Sequence, residues 1–374
     1  MRDAVAQLIG MPPASVRVNY VEAAGCYGHN GADDSAADAV LIAHAIGKPV
    51  RVQWSRADEH GWDPKAPAMV VDLEGAVASD GSVTGWKFDG YTPTHVTRPS
   101  GMAGNLLGGQ LTGAAPAKNG NLGGDRNAQN TYGFANTRVT VHWRPTSVLR
   151  PSAMRGLGAG ANCFANESFM DELCHAAGAD PVAFRLSHLR DPRAKEVITA
   201  VAKLADWRPG QTKRMLSSGA VRGRGAAFVR YELTGAYVAM IADVVVVRAD
   251  GTITARDVYV AHDCGLIVNP DGLRNQIEGA VIQGTSRALK EEVLFDRHRV
   301  TSIDWATYPI LRFPEVPNVH ITLVDRPGES PLGAGEPATT IVAPAIANAV
   351  FAATGARLRE VPLTSARLKH ALAG

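Results

Sequence analysis

Cysteine and aromatic residues are scarce in this chain: four cysteines, and Phe, Trp and Tyr together at 6% of 374 residues. Cys26, Cys163, Cys174 and Cys264 show no CxxC spacing and no histidine partners at zinc-finger intervals. That pattern argues against a disulfide scaffold or a zinc finger, and it could not ligate an iron–sulfur cluster or haem unaided. Free thiols in a reducing compartment are the expectation. An excess of one charge is also missing. With 38 Lys and Arg against 36 Asp and Glu the net charge is +2, which leaves no basic surplus for nucleic acid. No apolar run reaches the roughly 20 residues of a membrane helix; the best, residues 236–247, is interrupted by Asp243 and reads as a strand. The first residues lack the apolar core and cleavage site of a signal peptide. They read as a helix over 2–9 stopped by Gly10, and so abrupt an opening suggests one piece of a larger folding unit.

What is present is ordinary globular material. Hydrophobic residues make up 45% and charged residues 20%, and the length suits two or three domains of about 100–200 residues. The pattern predicts a strand over 16–21, a helix over 34–46 bounded by Asp33, Asp34 and Gly47, and a strand over 49–54. A hairpin follows, 68–77 with 83–91 around Ser79-Asp80-Gly81-Ser82. Residues 96–133, rich in Gly, Asn, Thr, Pro and Ala, form a loop long enough to be a lid or a segment ordered by a partner. Helices are expected over 162–177, 181–189 and 193–205, and the polar stretch 207–219 is the best linker. Two units result, 1–210 and 211–374. Beyond the linker come a hairpin of 236–247 and 253–262 around Ala249-Asp250-Gly251, a helix over 272–293, a strand over 319–324 and an apolar helix over 341–353. Strand runs separated from helix groups argue for an α+β class with mixed or antiparallel sheets and flanking helices.

Four constellations carry chemistry. In the segment PLGAGEPATT, residues 331–340, Glu336 is the lone carboxylate. Gly333 and Gly335 let the backbone approach a large group, and Pro337 restricts Glu336 to extended geometry. A lone acid on a rigid loop against apolar packing is how a general base with a raised pKa is built. A surface acid beside a helix N-terminus is the plainer reading. The loop GCYGHNG, residues 25–31, sits between a predicted strand and helix and could present N–H groups to an anion. Its GxxGxxG spacing departs from the dinucleotide fingerprint, and a tight turn is equally good. RGLGAG, residues 155–160, is led by Arg155, whose planar fork suits a phosphate or a polar heterocycle edge, or a salt bridge to Glu167, Asp171 or Glu172. Finally, Gln276 and Gln283 lie seven apart and so share a helix face, which Gly279 and Gly284 thin toward a backbone or a bulky ligand. In the preceding turn, Asp263 and Asn269 read as loop-fixing side chains.

Taken in order, GCYGHNG, RGLGAG with ESFMDEL, ADPVAFRLSHL, AHDCGLIVNP, QIEGAVIQG and GAGEP resemble the molybdenum-binding subunit of the xanthine dehydrogenase/aldehyde oxidase superfamily, in particular its isoquinoline 1-oxidoreductase and nicotinate dehydrogenase branch. The resemblance implies a two-lobed molybdopterin-binding fold and a molybdopterin cofactor carrying molybdenum, in the cytosine dinucleotide form. No protein side chain would bind the metal directly. It implies that Glu336 is the base in an oxidative hydroxylation of an N-heteroaromatic compound or an aldehyde, with water as the oxygen source. By the same carry-over Cys26, Tyr27 and Gly28 would face the metal, and Gly25, Arg155, Gly156 and Gln276 would contact the cofactor. Leu157 would line the substrate pocket where many relatives hold an aromatic ring, and Asn275 replaces the usual glycine before Gln276. A further block, a Gly-Gln-Gly turn with its Thr/Ser/Gly-rich loop, is missing, as is a hammerhead-like domain. The chain therefore looks like the C-terminal half of a subunit. Implied partners are a chain supplying the other half, a small subunit with [2Fe–2S] clusters and a cytochrome. A cytoplasmic setting is expected, or a periplasmic one where a partner carries an export signal. Two rival expectations are a truncated or assembly product without cofactor, and a nucleotide-dependent dehydrogenase using the 25–31 loop.

Overall fold

The computed structural model describes residues 1–29, 33–115 and 117–373. Ten helices are present among them: α1 (Arg2–Ile9), α2 (Asp34–Ile46), α3 (Arg56–Trp62), α4 (Leu107–Leu111), α5 (Ala159–Ala176), α6 (Pro181–His188), α7 (Pro192–Leu204), α8 (Pro270–Leu289), α9 (Val342–Thr354) and α10 (Ser365–Ala373). Strands β1 (Val70–Val77), β2 (Val83–Thr92) and β3 (Thr137–Trp143) form one sheet in that order, with β1 antiparallel and β3 parallel to β2. The second sheet runs β4 (Lys213–Met215), β5 (Val221–Arg230), β6 (Tyr237–Val247), β7 (Thr252–Asp263), β8 (Asn318–Leu323). Its pairings are antiparallel except β7 with β8. Helices beside two mixed sheets make the α+β class.

β6 shows why the second sheet is the structural centre. Val238, Met240, Ala242, Val244 and Val246 point into one apolar cluster with α8 and α9, while Tyr237, Ala239 and Ile241 point into another with α7. Alternation along a strand sends successive side chains to opposite faces, so a strand apolar on both faces, with Asp243 its one charged residue and paired to Arg222 and Arg224, is one covered on both sides. On the first face α9 lies very close. Ala345, Ala349 and Ala353, one turn apart, meet β5 at Gly223 and Gly225, where an added Cβ would run into the Ala349 backbone. Pro344 falls in the first turn of α9, where its missing N–H costs nothing. Residues Pro337–Thr354 form 18 helical residues apolar enough by composition to cross a membrane, but 78% of that stretch is buried inside the protein, as befits a core helix. The stretch most like a membrane helix by length and composition is therefore here and not at 236–247.

Several expectations are corrected. Residues 16–21 and 49–54 join no ladder among the described residues, and the chain there is extended and mostly exposed. The 207–219 stretch contains β4, hydrogen-bonded to β5. The long loop 96–133 carries α4 and is tied down: Asn162 on α5 donates to the Gly124 and Arg126 carbonyls, and Asn166 to those of Asn127 and Ala128. Those anchors hold this part of it against α5 in place of a free lid. Asp263 and Asn269 do fix loops. Asn269 accepts from the Gly272 N–H at 2.9 Å, while Asp263, fully buried, accepts from the Gly265 N–H and pairs with Arg193 and Arg326.

Candidate active site

Three remote segments meet at Glu336. The first is its own loop, which leaves β8, returns beside β7 through the Leu332 N–H to Cys264 carbonyl bond at 2.8 Å, and enters the helical turn Pro337–Ile341 ahead of α9. The second is the turn before α5. Gly156 takes φ +92°, open to glycine, and Leu157 takes φ +46°. The Gly156 N–H then donates to Glu336 Oε1 at 3.1 Å. The third is the end of β5, where the Tyr231 hydroxyl donates to Glu336 Oε2 at 2.8 Å. Arg126 completes the set, with Nη1 3.0 Å from the Tyr231 oxygen and 3.5 Å from Glu336 Oε2, and Nε 2.7 Å from Glu232. The Glu336 side chain is 34% exposed. It stands among hydrogen-bond donors and not against the apolar wall that its sequence neighbours suggest. It does not cap the following helix with its side chain.

The electrostatics reinforce this clasp. Burial, and then the Glu336 carboxylate, push the Tyr231 phenol well above its ordinary value, so it stays a donor at any physiological pH. Burial works against the Arg126 charge, but Tyr231, Glu232 and Glu336 outweigh it and hold its pKa above the usual arginine value. Arg155 is shifted down, chiefly by burial and partly by nearby Arg287, with Tyr27 and Glu336 opposing.

Arg155 is the hub of the site. Its Nε donates to the Gly335 carbonyl at 2.6 Å, Nη1 to Gln283 Oε1 at 3.2 Å, and Nη2 to both the carbonyl and Oε1 of Gln276 at 3.2 Å. A salt bridge to the α5 acids is thereby ruled out: Glu167 pairs with Arg185, Asp171 with Arg357 and Glu172 with Arg359. The shared face of Gln276 and Gln283 is real, and its purpose is to hold this guanidinium. Gly284 is explained by α9, since a Cβ there would lie 2.6 Å from Val342 Cγ2, while Gly279 faces open space.

The loop beginning at Gly25 rests on the same turn. The Arg155 N–H donates to the Tyr27 carbonyl at 2.9 Å, and the Arg155 guanidinium carbon sits 5.5 Å from the centre of the Tyr27 ring. Tyr27 is left-handed at φ +55°, and Gly28 at φ +103° presses so closely on the Ala153 carbonyl that no side chain would fit. Cys26 is an exposed free thiol. Gly25 folds against the Tyr27 ring, while Asn30 and Gly31, the last residues of this loop, lie outside the described residues. Leu157 packs on Gly123 beside His95, next to the Gly156 donor. Glu336, Gly156, Arg155, Gln276, Tyr27 and Gly28 are thus brought into one connected cluster, with Cys26 and Gly25 at its rim. Sequence reasoning missed Tyr231 and Arg126. Only the GGDR turn at 123–126 and the Tyr231-Glu232 strand end could have drawn attention to them.

The rim suits a polar, many-ringed ligand. With Oε1 committed to Arg155, the Gln276 amide NH2 makes no hydrogen bond among the described residues, and Gln276 is exposed. A Cβ on Gly335 would meet nothing nearer than Gln276 Oε1 at 4.0 Å. A free amide donor over open space offers a heterocycle edge both room and a partner. Residues 16–21 pair with no strand among the described residues, and the loop they lead into rests on the Arg155 turn through Tyr27.

A chain with two mixed sheets and this carboxylate–guanidinium–glutamine cluster belongs to the family of molybdopterin cofactor-binding domains: residues 1–189 match one model described in those words, and residues 157–317 match a second. Among curated relatives it is 43% identical over its whole length to a nicotinate dehydrogenase subunit of Pseudomonas putida, covering 32% of that protein. It is 30% identical over 96% of its length to the beta subunit of isoquinoline 1-oxidoreductase from Brevundimonas diminuta, covering 44% of it. The chain therefore spans about a third to under half the length of these relatives. Among solved structures, quinoline 2-oxidoreductase of Pseudomonas putida superposes with a TM-score of 0.81 at 14% identity, over 100% of this chain and 70% of that one. At that identity the likeness speaks for the fold.

Proposed function

We propose that this chain forms the C-terminal half of a molybdenum hydroxylase large subunit and carries the base for oxidative hydroxylation of an N-heteroaromatic compound or an aldehyde. The observation that carries the reading is the clasp on Glu336 by the Gly156 N–H and the Tyr231 hydroxyl, beside an Arg155 that ties Gly335 to Gln276. The names of the relatives, nicotinate dehydrogenase and isoquinoline 1-oxidoreductase, support an N-heteroaromatic substrate first. When bound, the molybdenum carried by molybdopterin in its cytosine dinucleotide form would supply a two-electron oxidant and a Lewis acid that lowers the pKa of water.

The chain's own residues orient and exchange the proton. Gly156 and Tyr231 each hold one oxygen of Glu336 and so fix the carboxylate plane, leaving its remaining lone pairs to take up a proton at either oxygen. Arg126 holds the Tyr231 oxygen and keeps that hydroxyl aimed. Arg155 sets the height of the Glu336 loop against α8, and the free Gln276 amide, with the backbone of Gly25 through Gly28, is positioned to hold the cofactor. Leu157 borders the substrate side. Dryness at the partly exposed Glu336 would come from the rest of the large subunit, with 1–210 and 211–374 acting as two lobes along one side of the site. A [2Fe–2S] subunit would take the electrons onward, with a cytochrome as a further carrier, and the compartment would follow the partners.

The test is Glu336→Gln in the assembled complex. Molybdenum content should stay at the wild-type level while turnover falls by at least about a hundredfold, the scale of a lost general base. Turnover above roughly a hundredth of wild type with full molybdenum would remove Glu336 from the role.

A further inference from the structure

Residues 16–54 contain a unit left without sheet partners among the described residues. Residues 16–21 follow a short helical turn that Val16 leaves in extended geometry, φ −110° and ψ 125°, and their sequence alternates as a strand's does, Val16, Val18 and Tyr20 against Arg17, Asn19 and Val21. Residues 50–54 repeat the pattern, with Val50, Val52 and Trp54 opposite Arg51 and Gln53. In both, the arginine bonds the residue two positions on, Arg17 Nε to Asn19 Oδ1 and Arg51 Nη2 to Gln53 Oε1, each at 2.9 Å, as same-face neighbours in an extended chain do. Between them lies α2, joined to the second segment by a tight turn at Gly47 and pinned to it by Trp54 Nε1 donating to Asp38 at 2.9 Å. Extended segment, helix, extended segment is the order of a crossover unit whose strands belong to a sheet. Neither segment has a ladder partner among the described residues.

α2 shows the same incompleteness. Its sequence DSAADAVLIAHAI is largely apolar, yet only Asp34 and Ala37 are buried; Ile42 stands 45% and Ile46 54% exposed, and Tyr20 of the first segment is 88% exposed. A helix apolar on every side is normally an interior helix, and bare apolar strand edges are avoided in finished proteins. The relatives that match this chain are two to three times its length, so a molybdenum hydroxylase holds further polypeptide to cover such a surface.

We propose that 16–21, 49–54 and the outer face of α2 form the docking surface for the remaining portion of the large subunit. That portion contributes at least one β-strand, hydrogen-bonded along 16–21 or 49–54, and an apolar surface over Ile42 and Ile46. This rests on the reading of the chain as half of such a subunit and names where the halves join. Backbone pairing gives the affinity, and the faces of Val18, Tyr20 and Val52 set the register.

The experiment compares amide hydrogen exchange in the 374-residue chain alone with that in the assembly isolated from its native host through a C-terminal tag on this chain, the second component being identified by mass spectrometry. Amides of 16–21 and 49–54 are expected to exchange at least about a hundredfold more slowly in the assembly, as paired strands do, and the second component to carry the large-subunit sequence this chain lacks. Val18→Pro, which removes a strand donor, combined with Ile46→Asp should cut the recovered partner at least about tenfold, while the variant chain alone keeps its circular dichroism and its monomeric size. Unchanged exchange at both segments, undiminished recovery with the double variant, protection produced by a second copy of this chain, or recovery of the chain alone would each overturn the proposal. Docking without molybdenum would leave this surface standing and remove the catalytic reading; turnover in an assembly with both segments unprotected would do the reverse.

Discussion

β6 and residues 16–21 both read as strands in the sequence, rich in β-branched and apolar residues, yet they end in opposite surroundings. β6 is paired on both edges and shielded on both faces, so that Val238, Met240 and Val244 are fully buried. Residues 16–21 have no paired edge among the described residues, and Tyr20 and Val21 stand in the open. Strand preference measures how well a side chain fits a pleated, half-buried surface, and is silent on whether that surface exists in the same polypeptide. The sheet of β4–β8 carries its own cover in α5 to α9, whereas the 16–54 unit carries half of one.

The strongest way to break the comparison is to attack the covered side. Glu167 on α5 accepts from Arg185 Nε at 2.8 Å, from the Tyr132 hydroxyl at 2.7 Å and from the Phe228 N–H of β5 at 2.9 Å, all buried. Glu167→Ala strands one guanidinium and two neutral donors in the interior. Loss of one partner of a buried pair costs about 3–5 kcal/mol, to be read from urea unfolding. A loss below about 1 kcal/mol, the scale of a surface pair, would mean that water reaches this face and that the two regions differ less than described.

Where the sequence was legible, the reason is local. α1 and α2 match their expected bounds, and both end at a left-handed glycine, Gly10 and Gly47. The hairpin of β6 and β7 turns where Ala249-Asp250-Gly251 predicts. What stayed hidden is non-local. β5 has no counterpart in the expectations from sequence; glycine is a poor strand former, and Gly223 and Gly225 are there to admit α9. β3 pairs in parallel with a strand far from it in the chain. At the site, the i, i+7 spacing of Gln276 and Gln283 revealed their common face. Tyr231 and Arg126 reach Glu336 from 105 and 210 positions away, and no periodicity carries such a distance.

A second test sharpens the contrast through pH. His262 on β7 is fully buried with neither ring nitrogen hydrogen-bonded among the described residues, and burial lowers its pKa from 6.5 to about 4, slightly opposed by Asp263. The unfolded chain then binds the proton first as pH falls. Stability contributed by neutral His262 is complete above pH 6.5 and is lost progressively between 6.5 and about 4. At pH 5 the loss from this residue is about 2 kcal/mol. His29 and His95 are lowered likewise, so the measurement is the difference between wild type and His262→Leu, unfolded in urea at pH 7 and pH 5. Equal pH dependence in the two proteins would show that water reaches the β7 core.

The smallest effect falls on the uncovered side. Val18→Ser and Ile46→Ser remove apolar groups that the isolated chain scarcely buries, since both residues are about half exposed. Folding of the chain alone should shift by no more than about 0.5 kcal/mol, the scale of ordinary surface changes, where apolar truncations inside β6 cost several times as much. A loss above about 2 kcal/mol in the free chain, of the size seen for buried side chains, would mean that residues 16–54 already close on themselves in solution. The same substitutions would then act through folding and not through assembly, and the difference between the two regions would vanish.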